Sequence, residues 1–191
     1  MRIGIDIGGV LVQQVDRLCP EEDRTTGPVP APAGPLPGPE TDDTALLADF
    51  RRTPPMPGAF EAVAALVAGT FGEHVYLVSK CGERVERRTR LWLDHHDFYS
   101  RTGMPAGNLH FCRTRQGKAP IAAALGLTHF VDDRLEVLSY LESVPHRYLF
   151  RPREHEVHSH RSHLPAVRRV ESWPELMALI GGTDRTDVRI S

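Results

Sequence analysis

Lysine is scarce in this chain: Lys80 and Lys118 stand against 21 arginines. Cysteine is scarce too, and Cys19, Cys81 and Cys112 form no Cys-x-x-Cys pair, which argues against a disulfide-stapled miniprotein. No apolar run approaches the roughly 20 residues needed to span a bilayer. No leader of basic residues, apolar core and small-residue cleavage site precedes the first motif, so a cytoplasmic protein with no membrane partner is expected. Neither charge dominates: 23 basic against 25 acidic residues leave a net charge of -2. Non-specific nucleic-acid binding, which needs a clustered positive excess, is therefore not expected. A local basic pocket remains compatible with this balance.

The 191 residues, 40% hydrophobic and 25% charged, suit one globular domain. We place it over residues 1–180, with a polar tail at 181–191. Within it, Pro28, Pro30, Pro32, Pro35, Pro37 and Pro39 recur among Gly and Ala. Such composition favours extended, polyproline-like chain. Residues 13–57 are read as a Pro-rich insert or minimal cap, with a surface loop at 21–41 and a short helix at 43–51.

Elsewhere strands alternate with helices. Apolar strand patterns run over residues 2–7, 74–79, 109–112, 128–133 and 146–150, with a short sixth at 167–170. Helices are predicted at 59–68, at 83–96 with Val85, Leu91, Trp92 and Leu93 buried, at 118–125, at 135–141 and at 174–180. This alternation calls for right-handed crossovers and a parallel sheet covered on both faces, a three-layer α/β/α Rossmann-like sandwich.

Ligands bind such sheets beyond the carboxyl ends of the strands, so the residues ending each strand matter most. The first ends with Asp6 ahead of Gly8-Gly9, the second with Ser79-Lys80, and the fourth with Asp132-Asp133. Lys118 opens a helix. Three acids, a hydroxyl and an ammonium at one edge suit a hard divalent ion such as Mg²⁺, which prefers oxygen ligands.

In order, these features resemble the haloacid dehalogenase-like hydrolase superfamily, mostly Mg²⁺-dependent phosphatases that form an aspartyl-phosphate. The first motif corresponds to Asp6-Ile7-Gly8-Gly9-Val10-Leu11, the second to the strand ending at Ser79, the third to Lys118 and the fourth to Val131-Asp132-Asp133. The resemblance covers nearly the whole chain. It implies Asp6 as nucleophile and metal ligand, Gly8 as a metal ligand through its carbonyl, Ser79 as a phosphoryl donor and Lys118 as the neutralising cation. Asp132 and Asp133 complete the Mg²⁺ shell, directly or through water. Gly8, Gly9, Lys80 and Arg134 are the substrate-binding candidates.

Gly8 departs from the pattern, because phosphatases of the superfamily carry their general acid there. Three readings stay open: a substrate with a good leaving group or an acid borrowed from elsewhere, cleavage of a carbon–phosphorus or carbon–halogen bond, or a phosphate- and metal-binding protein without turnover. The absence of room for a cap between Ser79 and Lys118 implies an open site. The Asp132-Asp133-Arg134 run and the Pro57-Gly58 helix start also resemble nucleotidases and polynucleotide end-processing phosphatases. The expected partner is thus a phosphorylated small molecule, a nucleotide or a polynucleotide end, with a homo-oligomer left open.

Simpler roles stand beside these. Asp132 or Asp133 could cap the helix starting near residue 135. His155, His158, His160 and His163 are expected on a solvated surface segment rather than at a metal. Arg84, Arg87, Arg88 and Arg90 are read as a solvated helix face that could steer an anion. Trp92, Trp173 and Cys81 are taken as packing residues.

Overall fold

The computed structural model describes residues 1–13 and 52–183. The loop expected at 21–41 and the helix expected at 43–51 lie outside the described residues, as does most of the C-terminal tail. Six strands form one parallel sheet: β1 (Ile3–Ile5), β2 (Val75–Lys80), β3 (Leu109–Cys112), β4 (His129–Asp132), β5 (His146–Phe150) and β6 (Arg168–Val170), in the order β3-β2-β1-β4-β5-β6. The short first strand is therefore central. The chain builds outward through β2 and β3, then returns to add β4 on the other side of β1. This reversal opens a crevice beyond the carboxyl ends of β1, β2 and β4.

The helices are α1 (Ala59–Ala68), α2 (Glu83–His95), α3 (Phe98–Thr102), α4 (Lys118–Ala124), α5 (Leu135–Tyr140), α6 (Glu154–Ser159) and α7 (Trp173–Thr183). Alternate residues of β2 feed two cores: Val75 and Leu77 join Phe60, Trp92, Phe98 and Trp173 on one face, while Tyr76 and Val78 join Ala122, Phe130, Leu135 and Leu138 on the other. Both sets are apolar, as expected of a parallel strand covered on both faces. The three-layer sandwich expected from the pattern is the observed fold.

Gly4 lies at the centre of β1, where a Cβ would come within 2.6 Å of the Phe130 ring and 2.7 Å of Leu127. Glycine here leaves the space that the ring occupies beside the strand, and the ammonium of Lys118 stands 5.7 Å from the centroid of that ring.

Several expectations change. Val85 is 50% exposed, not buried, because its face of α2 borders the crevice; Trp92 and Leu93 are buried as expected. The final helix continues through Thr183, past the expected start of the tail. The histidine-rich stretch folds into α6 and a 3-10 segment, Arg161–Ala166; His155, His158 and His163 are exposed as expected, while Glu156 is buried. Helix α3, with no extended periodic pattern of its own, was not anticipated. Among the described residues no helix is long and apolar enough to cross a membrane.

Candidate functional site

β1 aligns with both neighbours through Ile5, which pairs with Leu77 of β2 and Val131 of β4. The residue after Ile5 is thereby placed beside the residue after Val131, and the backbone N–H of Asp6 donates to Val131 O at 2.9 Å. Asp6, Asp132 and Asp133 are all buried, and each offers a carboxylate oxygen within 4.8 Å of the others'. This register explains why acids 126 or more positions apart meet at one edge.

Lys118 enters from the first residue of α4. Its side chain is 2% exposed and its Nζ donates to Asp6 Oδ1 at 2.6 Å and to Asp132 Oδ2 at 2.7 Å. Burial lowers the pKa of this amine, but the two carboxylates outweigh it and hold the ammonium charged, its pKa well above the usual lysine value. Burial pushes Asp132 up to about 7 against the opposing pull of Lys118. Its other oxygen, Oδ1, accepts the Arg134 N–H at 3.0 Å. Three carboxylates against one ammonium leave a local negative excess on oxygen donors, a set that fits a hard divalent cation such as Mg²⁺.

These groups open onto a cleft of about 470 Å³ whose lining includes Asp6, Gly8, Ser79, Lys80, Lys118, Asp132, Asp133 and Arg134. Gly9 is not on that lining. It is buried in the turn after Asp6 with φ +85°, a conformation that favours glycine, and its N–H donates to Val12 O at 2.9 Å.

The rest of the lining comes from residues that sequence reasoning had assigned elsewhere or not at all. Val85, Arg88, Thr89 and Trp92 line the cleft from one face of α2. Their i, i+3, i+4, i+7 spacing was legible, and polar Arg88 and Thr89 on that stripe were the signal that it faces a site rather than the core. Gln13 and Thr53 join them, brought together by antiparallel pairing in which Gln13 N–H donates to Pro54 O at 3.1 Å and Met56 N–H to Leu11 O at 2.8 Å. Thr53 is held from α2: Trp92 Nε1 donates to its carbonyl at 2.8 Å and Arg88 Nη2 to its Oγ1 at 3.1 Å. Trp92 is thus more than packing.

Helix α5 follows the acid pair, and Asp132 Oδ1 accepts the N–H of Arg134, the residue at its N-cap. Glu156 of α6 accepts the N–H groups of Leu135 at 3.1 Å and Glu136 at 2.9 Å. A tertiary contact thus satisfies two of the N–H groups in the helix's first turn. Cys81 stays off the lining, and burial pushes its thiol up, in keeping with an inert side chain.

No family model matches the sequence, and no curated protein matches it. Among solved structures the chain is similar to a HAD-family hydrolase from Deinococcus radiodurans R1, solved with phosphate and sodium bound, at 17% identity over 96% of each chain and a TM-score of 0.60. The chain has the haloacid dehalogenase-like fold.

Proposed function

We propose that this protein is a Mg²⁺-dependent phosphohydrolase that takes the phosphoryl group of a phosphorylated small molecule or nucleotide onto Asp6. The carrying observation is the ammonium of Lys118 bridging Asp6 and Asp132 at the carboxyl edge of the sheet, with Asp133 beside them. The phosphate bound in the Deinococcus hydrolase of the same fold supports a phosphorylated substrate.

Asp6, Asp132, Asp133 and the carbonyl of Gly8 would hold the metal, which supplies Lewis-acid polarisation of the phosphoryl oxygens. With Oδ1 of Asp6 held by Lys118, its Oδ2 is the oxygen presented for in-line attack on phosphorus. Lys118 offsets the charge that gathers on Asp6 and the phosphoryl group as the bond forms. Ser79, at the end of β2, donates to a phosphoryl oxygen, while Lys80 and Arg134 hold the substrate's remaining negative charge. Gly9 serves by fixing the turn that presents Asp6.

The test is phosphate release from a panel of phosphorylated donors with Mg²⁺, in wild type and Asp6→Asn. Turnover abolished by the substitution supports the proposal; turnover that survives it defeats the role of Asp6. Gly8 favours one second reading, a phosphate-binding protein without turnover. Phosphate binding by calorimetry with no release from any donor would establish that reading instead.

A further inference from the structure

Gly8 borders the cleft where a proton would be given to the departing group, and nothing about its surroundings demands glycine. A Cβ built there meets no atom within 4 Å, and Gly8 is absent from the glycines with positive φ. Among the described residues, the acids lining the cleft are Asp6, Asp132 and Asp133, and none of the ten histidines lines it. Asp132 receives protein donors on both oxygens, and Asp6 on one. The lining also carries guanidinium groups: Arg88 from α2, Arg134 directly after the acid pair, and Arg115, which is paired with Glu136. Arg88 is steadied by Thr53, which Trp92 in turn fixes.

Resting on the phosphohydrolase reading above, we infer that the substrate is a phosphoanhydride, whose leaving group is itself a phosphate and departs as an oxyanion toward Arg88 and Arg134. An alkyl ester would release a strongly basic alkoxide, which needs a proton in the transition state; a positioned acid contributes roughly 10²–10⁴-fold to such a step. A terminal phosphate is weakly basic, with a last ionisation near ~6, and needs none. The guanidinium groups stabilise it by charge and by paired N–H donors.

The step balances. An Asp6 oxygen forms a bond to phosphorus while the bond from phosphorus to the bridging oxygen breaks, its electron pair remaining on that oxygen. Water then attacks the phosphorus of the aspartyl-phosphate, and the electron pair of the Asp6–phosphorus bond returns to the carboxylate. One proton of the water passes to solvent and inorganic phosphate is released.

The experiment compares kcat/KM of the full chain with Mg²⁺ on inorganic pyrophosphate, a nucleoside triphosphate, glycerol phosphate and a nucleoside monophosphate. At least one anhydride should exceed both alkyl esters by about 100-fold or more, in line with a position 8 that carries no acid side chain. Gly8→Asp should raise turnover of the esters far more than that of the anhydride. Arg88→Gln should lower kcat/KM for the anhydride about tenfold, chiefly through kcat, the split expected when charge developing on the leaving group loses its partner. Equal turnover of anhydrides and alkyl esters by wild type overturns this inference and leaves the phosphohydrolase reading standing. No turnover of any donor, with no phosphoryl adduct on Asp6, overturns both.

Discussion

Lys118 Nζ stands 2.6 Å from Asp6 Oδ1, although the two residues are 112 positions apart. The contact joins the end of β1 to the start of α4 and sets one ammonium between two of the three carboxylates. Because its stem is buried against Phe130, the available space is that of a narrow chain ending in a compact charge.

Lys118→Arg should therefore fail despite keeping the charge. A planar fork cannot sit between Asp6 and Asp132 at the observed distances without displacing one of them. Turnover of any accepted donor is expected to fall at least about 100-fold, a loss typical of misplaced transition-state groups. Lys80→Arg, at an exposed position on the lip of the cleft, should cost far less. Comparable losses in the two variants would remove the distinction between them.

Metal should stabilise the fold. At a Mg²⁺ concentration 100 times its Kd, linkage predicts about 2.7 kcal/mol of added stability. Thermal unfolding of the wild type should shift upward with Mg²⁺ and return on chelation, and Asp133→Asn should blunt the shift. A midpoint insensitive to Mg²⁺ in the millimolar range argues against the carboxylate cluster as a metal site.

Glu156→Ala should destabilise the chain by about 1–3 kcal/mol, since it removes a buried acceptor shared by two helix-terminal N–H groups. Because α5 is led directly by Asp132-Asp133-Arg134, Mg²⁺ affinity should weaken as well. Urea unfolding and metal titration separate the two effects, and unchanged values in both would remove Glu156 as a positioning residue.

Gly4→Ala should cost about 1–3 kcal/mol through overpacking against Phe130 and Leu127. Trimming the ring in the double variant Gly4→Ala, Phe130→Leu should recover part of that loss. Additive losses in the double variant would point away from this contact.

Stability should depend on His129 in mildly acidic solution. Burial, then the neighbouring His146, lowers its pKa to about 4, and among the described residues its Nε2 has no hydrogen-bond partner. The unfolded chain takes up a proton as pH falls through ~6.5, while the folded chain resists until about 4. Stability present above pH ~6.5 is thus lost progressively down to about 4, by up to ~3 kcal/mol. Urea midpoints of His129→Phe should change less than those of wild type between these limits; the same slope in both would locate the titrating group elsewhere.

Apolar runs of strand length ending in Asp6, Ser79 and Asp132 made the parallel sheet legible before any coordinates, because a strand buried on both faces must be apolar throughout and polar only where it ends. Helical spacing likewise revealed α1, α2 and α4. The direction in which α2 turns its Val85 stripe was not legible: periodicity identifies a face but not the element opposite it. Helix α3 was missed because five residues carry too little pattern to register.

The linear chain determined which chemistry stands at each strand end, since those residues are local to their strands. Only the tertiary structure decided which ends adjoin, through the return of the chain to β4 beside β1. The same return set Lys118 between two acids and brought Glu156 onto the first turn of α5. The packing of α2 on the 53–56 segment brought Arg88 and Thr53 together on the lining of the cleft. Each of these contacts spans tens of residues, and the physical reason is common to all of them: distances between remote side chains are fixed by sheet register and layer packing, which no local pattern encodes.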